Sequence, residues 1–427
     1  MSPVTVSQAL GLLAAEGIVD IRPGAGTFVA VPSRPTQEPD YSWQTVTLAE
    51  GQVRAESVLE TFSAGNDDSL ISFAEGYLHP SLVPKRLLAS ALARAARRPD
   101  AFESPPVAGI KTLRSWFAQT AAPDVEPGHV LITSGGQGSI TAIFRGLIPA
   151  GETLLLGSPT YHGALAVTAA AGIKSVPVPV DNDGVVPELL DIAFERTGAR
   201  AFYCQPRFQN PTGTSLSAER RSQILEVAAA HRAFVIEDDY ARWLGHGDPP
   251  APTLLSEDTE GRVVHIASLS KPLAATMRIG AIIARGPVFD RLQTIRVVDD
   301  MMVNRPLQEA TIDLVTRPDW ARHVRVMANA LTRRSHRLAL ALHEYLPEWR
   351  IEHRPRGGFY LWVRLPEGTD DLVLVERARA NGVVVLAGRR FYPAEAPAPH
   401  IRISVSTADE AVLDTGVKRL AEAFHSL

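Results

Sequence analysis

Lys271 stands in the run Ser268-Leu269-Ser270-Lys271-Pro272, and Arg278 follows it. The chain has 38 Arg and only five Lys, so a plain positive charge at this place would ordinarily be Arg. A lysine at the end of the apolar, strand-like stretch 263–267 points instead to use of its amine. An ε-amine loses its proton when desolvated and condenses with an aldehyde to a Schiff base; a guanidinium does neither. The competing reading is a lysine that merely caps a strand end, and Lys271 alone does not separate the two.

Other chemically pointed groups fall at the ends of strand-like runs, where open α/β sheets place ligands. After 130–133 comes Ser134-Gly135-Gly136-Gln137-Gly138, opening a helical stretch. Backbone N–H groups at such a helix start suit a phosphate, although a plain turn has the same composition. After 201–204 comes Asn210-Pro211-Thr212-Gly213, by itself a turn signal. After 234–236 comes Glu237-Asp238-Asp239-Tyr240. Carboxylates at a buried strand end need a cation, unless one of them caps the next helix. Arg402 sits inside the alternating run 401–405, as a carboxylate-binding fork or as a surface residue. Together these groups fit one ligand. Lys271 takes its aldehyde, Gly136, Ser268 and Arg278 its phosphate, and an Asp its basic ring nitrogen. That ligand is pyridoxal 5'-phosphate.

The elements that must position these groups follow from length and pattern. A chain of 427 residues is long enough for two domains and a sizeable core. Its net charge of -4 makes the whole chain no electrostatic magnet for nucleic acid or acidic lipid. A single cysteine, Cys204, excludes an intrachain disulfide framework and argues against a Cys-based zinc site, and no metal is expected. No apolar run approaches membrane-spanning length and the N-terminus lacks a signal pattern, so a cytoplasmic protein is expected.

Residues 1–31 read as a unit of their own. Val6, Ala9, Leu10 and Leu13 follow helical spacing, Gly17 ends that helix, and 18–22 and 27–29 form a hairpin around Pro23-Gly24-Ala25-Gly26. Residues 32–50, rich in proline and polar groups, read as a linker. From 51 to 320, strands at 130–133, 153–156, 201–204, 234–236, 263–267 and 279–284 alternate with helices, which predicts a mainly parallel α/β sheet. Residues 321–427 predict a smaller α+β domain, with a long helix near 318–345 and strands at 359–364, 383–386 and 401–405.

Residues from roughly 70 to 427 resemble a fold type I, class I/II aminotransferase. The motifs are Asn210-Pro-Thr-Gly, Asp238-Asp239-Tyr240, Ser268-x-Ser-Lys271-Pro, Arg278 and Arg402, in that family's order. Residues 1–31 resemble the C-terminal half of a GntR-type winged helix-turn-helix, with Arg22-Pro-Gly-Ala-Gly-Thr-Phe-Val as the wing. The combination is similar to the MocR subfamily of GntR regulators, usually dimeric. The resemblance implies that Lys271 holds the cofactor as a Schiff base and shuttles the α-proton, with Asp238 on the pyridinium nitrogen. It places Asn210 and Tyr240 on the phenolic oxygen and Tyr161 on the ring face. Gly136, Gln137, Ser268 and Arg278 then hold the phosphate, and Arg402, with Asn210, takes the substrate α-carboxylate.

Two departures stand out. Relatives carry a Tyr shortly before Gly-x-x-x-Leu-Arg that reaches the partner subunit's phosphate; here that stretch, 102–114, has Phe102 and no Tyr. The chain also opens almost on the recognition helix, so an incomplete DNA-binding unit is expected. Two functions follow from the resemblance. One is a pyridoxal-phosphate-dependent aminotransferase acting on α-amino and α-keto acids as a homodimer. The other is a transcription regulator that senses an effector through the same site and binds DNA through the winged helix, expected only if the missing N-terminal helices exist in the native chain. Arg207, Arg242, His162 and Arg356 are candidates for the substrate side-chain pocket, with a surface or structural role as the alternative for each.

Overall fold

A computed structural model describes residues 2–30, 40–47, 69–247 and 250–427. The chain divides into a small unit, Met1–Gly51, and a large one, Gln52–Leu427.

In the small unit a helix spans Pro3–Ala15. Ser2 caps it by accepting the Val4 amide at 3.2 Å, and Pro3 supplies the fixed φ favoured at a first helical position. A hairpin of β1 (Val19–Arg22) and β2 (Gly26–Val29) follows, in antiparallel register from Val19 opposite Val29 to Arg22 opposite Gly26. No residue of the helix is buried. The stretch expected as linker contains a short helix, Ser42–Thr47, whose first turn is started by Asp40 accepting the Ser42 amide at 2.9 Å. The rest of that linker, 32–39 and 48–50, lies outside the described residues.

The large unit is built on an eight-stranded sheet. A short strand, β3 (Ile71–Ser72), precedes it. The sheet strands are β4 (Val130–Thr133), β5 (Thr153–Ser158), β6 (Lys174–Asp181), β7 (Gly184–Val185), β8 (Ala201–Cys204), β9 (Phe234–Asp239), β10 (Val263–Ser268) and β11 (Gly280–Ile283). Their order is β4-β11-β10-β9-β8-β5-β6-β7. The β10-β9-β8-β5-β6 stretch is parallel; β11 lies antiparallel to both its neighbours, and β7 antiparallel to β6. Every residue of β4, β8, β10 and β11 is buried, which is why these strands read as continuous apolar runs. Alternate residues feed two cores. Leu155, Phe202, Val235 and Val263 pack on one face, and Leu154, Tyr203, Ile236 and Val264 on the other. Each fully buried side chain of this size contributes about 1.5–3 kcal/mol. Strand β9 runs three residues beyond the apolar stretch, so Glu237, Asp238 and Asp239 lie inside the sheet rather than after it.

A second sheet has the order β12-β13-β16-β15. It contains β12 (Arg350–Ile351), β13 (Tyr360–Arg364), β15 (Leu386–Ala387) and β16 (His400–Ser404). Helices Pro318–Tyr345 and Leu413–His425 share its core through Leu331, Leu338, Val417 and Leu420. The single strand expected over 383–386 is two. β14 (Val383–Val384) pairs in parallel with β3, and β15 turns away to pair with β16. A pleated run cannot serve two sheets at once, so it breaks at the buried Val385. The pairing carries residues 71–78 onto the C-terminal part of the unit, where Phe73 and Leu78 join its core. None of the described helices is long and apolar enough to cross a membrane.

Candidate active site

The ends of β4, β9 and β10, the turn after β8 and the segment 76–77 converge on one cavity of about 490 Å³, counted to its open mouth. Asp238, near the end of β9, is buried in its wall. Its Oδ2 accepts the Tyr203 hydroxyl and the Gln205 side-chain amide, each at 2.7 Å. Its Oδ1 is buried and accepts nothing. Burial pushes this carboxyl above the ordinary carboxylate range, against the two donors that favour ionisation. Tyr203 lies on β8, beside β9. The donors therefore turn one oxygen away and leave the other for a positively charged group.

Lys271 stands just past β10. Its Nζ donates to the Gly76 carbonyl at 2.7 Å and lies 4.0 Å from the centre of the Tyr77 ring. Burial first, then the Arg402 and Arg278 charges, lower its pKa from 10.5 to about 7, while Asp238 opposes. A Cβ at position 76 would sit 1.8 Å from the Tyr360 hydroxyl, so any larger residue there would displace that ring.

The opposite end of the cavity suits an anion. Helix Gly135–Leu147 begins at Ser134, whose side chain gives no cap and instead donates to Asp300 at 2.9 Å. The first amides of the helix, Gly136 and Gln137 among them, are left without a side-chain acceptor at their positive dipole end. Gly135 makes the turn at φ +80, where an added Cβ would crowd Ser270 and Arg278. Arg278 has the left-handed backbone of φ 44 and donates to the Ser134 carbonyl at 2.9 Å. The Ser270 hydroxyl is buried without a partner, and Ser268 lies beside it in the cavity wall. Strain at Arg278 together with an uncapped helix and an unused hydroxyl marks a built anion cradle.

Arg402, on β16, is 1% exposed. Its Nη1 donates to Asn210 Oδ1 at 2.9 Å, its Nη2 to the Ala74 carbonyl, and its Nε is buried without a partner. The guanidinium lies between the rings of Tyr360, at 4.0 Å, and Phe391, at 4.9 Å. The surface alternative for this residue is thereby excluded.

Gly136, Gln137, Tyr161, Asn210, Asp238, Tyr240, Ser268, Lys271 and Arg278 all line the one cavity, and Arg402 stands behind it in contact with Asn210. The Tyr161 hydroxyl donates to Gln137 at 3.0 Å, and that of Tyr240 to the Phe208 carbonyl at 2.6 Å. Arg207, Arg242 and Arg356 line a different cavity. His162 packs edge-on against Tyr161 and Phe391, and burial drives its pKa down to about 3. Phe102 is 88% exposed. Sequence reading missed Tyr77, Tyr203, Gln205, Ser270 and Tyr360. Alternation along 203, 205 beside 238 carried a signal for two of them; Tyr77 and Tyr360 arrive from distant segments. Among the described residues no cluster of His, Cys, Asp or Glu is arranged to hold a metal ion.

Comparison with known proteins agrees with this geometry. The profile of aminotransferase class I and II matches residues 71–420. The chain is 29% identical over 423 residues to the HTH-type transcriptional regulator YdfD of Bacillus subtilis strain 168, covering 97% of this chain and 87% of that one. It is 26% identical over 381 residues to aromatic-amino-acid aminotransferase 1 of Thermococcus litoralis, covering 87% and 91%. The crystal structure of the α-aminoadipate aminotransferase LysN of Thermus thermophilus, complexed with N-(5'-phosphopyridoxyl)-L-leucine, superposes with a TM-score of 0.83 at 26% identity. The match covers 90% of this chain and 98% of LysN.

Proposed function

The chain belongs to the aminotransferase class I and II family, and from that premise we propose that it transfers the amino group of an α-amino acid to an α-keto acid, with pyridoxal 5'-phosphate held at Lys271. The observation that carries this reading is the pairing, in one cavity, of an amine with a pKa of about 7 and a buried carboxylate oxygen that accepts nothing. The residues fit the cofactor at each end. Asp238 Oδ1 lacks a partner and would take the ring N–H. The uncapped amides of Gly136 and Gln137, with Ser268, Ser270 and Arg278, would take the phosphate. Tyr161 would cover a ring face, and Asn210 and Tyr240 would flank the phenolic oxygen.

Bound there, the cofactor supplies an aldehyde for the amino group and a ring that delocalises the electrons left when the α-proton departs. The chain's own residues do the rest. Arg402 binds the substrate α-carboxylate with its fork, steadied by Asn210 and by the rings of Tyr360 and Phe391. That anchor fixes which bond at the α-carbon faces Lys271. With a pKa of about 7, the Lys271 amine accepts and returns a proton near neutral pH. Asp238, ionised by a cationic partner, keeps positive charge on the ring. Tyr77, against Lys271, shields the amine from water.

Turnover is tested by visible absorption of the cofactor-loaded protein with a panel of amino acids. The band of the aldehyde form is expected to give way to that of the amine form, and a keto acid to restore it. No conversion with any pair would reject the reading. The amino acid that converts names the substrate side chain. A homodimer in the cytoplasm is part of the same proposal, tested by sedimentation of the loaded protein.

A second reading rests on its own observation. The helix and hairpin of residues 3–29, together with 29% identity over 97% of the chain to a protein named as an HTH-type transcriptional regulator, favour DNA binding by the small unit. The helix would enter the major groove and the hairpin would act as the wing. Absence of a shift of promoter DNA by the full chain, with and without an amino acid, would set it aside.

A further inference from the structure

Successive residues of a strand face opposite sides of a sheet. Asp238 serves the cofactor cavity; Asp239, its neighbour on β9, lies behind the wall of a second cavity. That cavity measures about 1020 Å³ to its open mouth. Arg207, Arg221, Arg242, Arg356 and His353 line it, and no carboxylate does among the described residues.

Two carboxylates reach these arginines from behind. Asp239, fully buried, is shared between Arg207 Nε at 2.9 Å and Arg242 Nη1 at 3.3 Å. Glu257 takes Arg221 Nε at 2.9 Å. Leaving Arg356 aside, three guanidinium groups share two carboxylates. Arg207 is 6% and Arg221 8% exposed, so both are held rigidly at the wall. Arg207 spends Nη2 on the Ala251 carbonyl, and Arg221 spends Nη1 on that of Leu216. Arg207 Nη1 and Arg221 Nη2 make no hydrogen bond to any described residue, and Arg242 Nε is buried without a partner.

Arg207 Nη1 and Arg221 Nη2 are not sealed off, so their unused donors are open to an anion in the cavity, and a fork of this kind recognises carboxylate and phosphate oxygens. Two stations exist, the Arg207–Arg242 pair on Asp239 and Arg221 on Glu257. One monovalent anion would satisfy only one of them. We propose that this cavity binds a small organic polyanion, a molecule carrying two or more carboxylate or phosphate groups, at a site separate from the catalytic one. The phosphate cradle of the cofactor uses none of these residues. Phe208 and Tyr240 stand in the wall between the two cavities.

Calorimetric titration of the full, cofactor-loaded chain with citrate and with pyrophosphate tests this. Neither probe is an amino or keto acid, so the readout does not depend on turnover. Saturable binding of one equivalent is expected, at least tenfold weaker in Arg242→Gln and in Arg221→Gln and unchanged in Arg402→Lys. Arg242→Gln leaves Asp239 paired with Arg207, which protects the fold. Binding of citrate alone identifies a polycarboxylate site, and of pyrophosphate alone a phosphate-ester site. No binding of either, or binding lost in Arg402→Lys and kept in Arg242→Gln, would overturn the proposal. Should the cavity variants fail to fold, protection of Arg221 and Arg242 from phenylglyoxal by the bound anion, mapped on the unaltered protein, gives the same decision.

Discussion

Asp238 and Asp239 are adjacent, both buried, and in opposite electrostatic states. Asp238 meets two neutral donors, with the Lys271 charge the least of the influences on it, and burial raises its pKa. Burial would raise Asp239 too, but Arg207, His265 and Arg242 together hold it below the usual range. One face of the strand end thus presents a carboxylate that awaits a cation. The other presents arginines with donors to spare. The difference teaches that burial alone does not set the character of a carboxylate; the partner does, and an unpartnered one marks a place prepared for a ligand.

The largest expected effect belongs to the cofactor side. On the proposed function, Lys271→Ala removes both the attachment point and the proton carrier. Turnover should fall by about 10⁴-fold or more, measured as keto-acid formation with saturating cofactor. Retained turnover would show that the amine is not the one used.

Next comes a paired substitution read by denaturant unfolding of the cofactor-free chain. Asp239→Asn strands the buried Arg207 and the half-buried Arg242 and should cost about 3–5 kcal/mol. Asp238→Asn removes a carboxylate whose charge the fold does not favour, and should change stability by less than about 1 kcal/mol while depressing turnover. Equal losses would dissolve the contrast between the two sides. The two groups also have opposite pH signatures. The stability from Asp239, whose folded pKa lies below 3.8, is present above 3.8 and lost as pH falls through the folded value. Asp238, with its folded pKa above 3.8, works against folding as pH rises from 3.8 through that value.

A smaller effect concerns Lys271. Only the neutral amine attacks an aldehyde, so the rate of cofactor uptake should rise with pH through about 7 rather than through 10.5. Stopped-flow absorbance over a pH series spanning both values reads this midpoint. Over the interval from about 7 to 10.5 the unfolded chain holds more protons on this residue than the folded one. Its penalty on the cofactor-free fold is therefore relieved as pH rises.

The smallest is Tyr203→Phe. One of the two donors on Asp238 Oδ2 disappears and Gln205 remains, so kcat/KM should fall by about tenfold, near 1.4 kcal/mol. A variant with unchanged kcat/KM would mean that Gln205 alone aims the carboxylate.

Legibility in the sequence followed burial. Strands β4 and β8 lie where the apolar runs end, because both faces are covered and nothing interrupts the pattern. The 28-residue helix Pro318–Tyr345 was equally plain, since one apolar stripe runs its length. The stretch 383–386 was not, because its two halves pair with strands remote in sequence and the residues themselves are uniformly apolar. Arg207 and Arg242 read as candidates for the substrate pocket. Only the side of the sheet on which each side chain emerges tells one cavity from the other. Residues 3–15 show that a legible motif does not carry its own core: the helix forms where its cap and spacing place it, with no residue buried.

What the sequence determined by itself is chemistry: an amine at Lys271, carboxylates at a strand end, a glycine-rich helix start and Arg278. These are properties of residue type and local spacing, and they name the cofactor. The tertiary structure alone decided the electrostatics. Tyr203 and Gln205 come from elsewhere in the chain to leave one oxygen of Asp238 open, and burial with the Arg402 and Arg278 charges lowers Lys271 to about 7. A pKa depends on which charges and how much water surround a group, and that is settled only when distant segments meet.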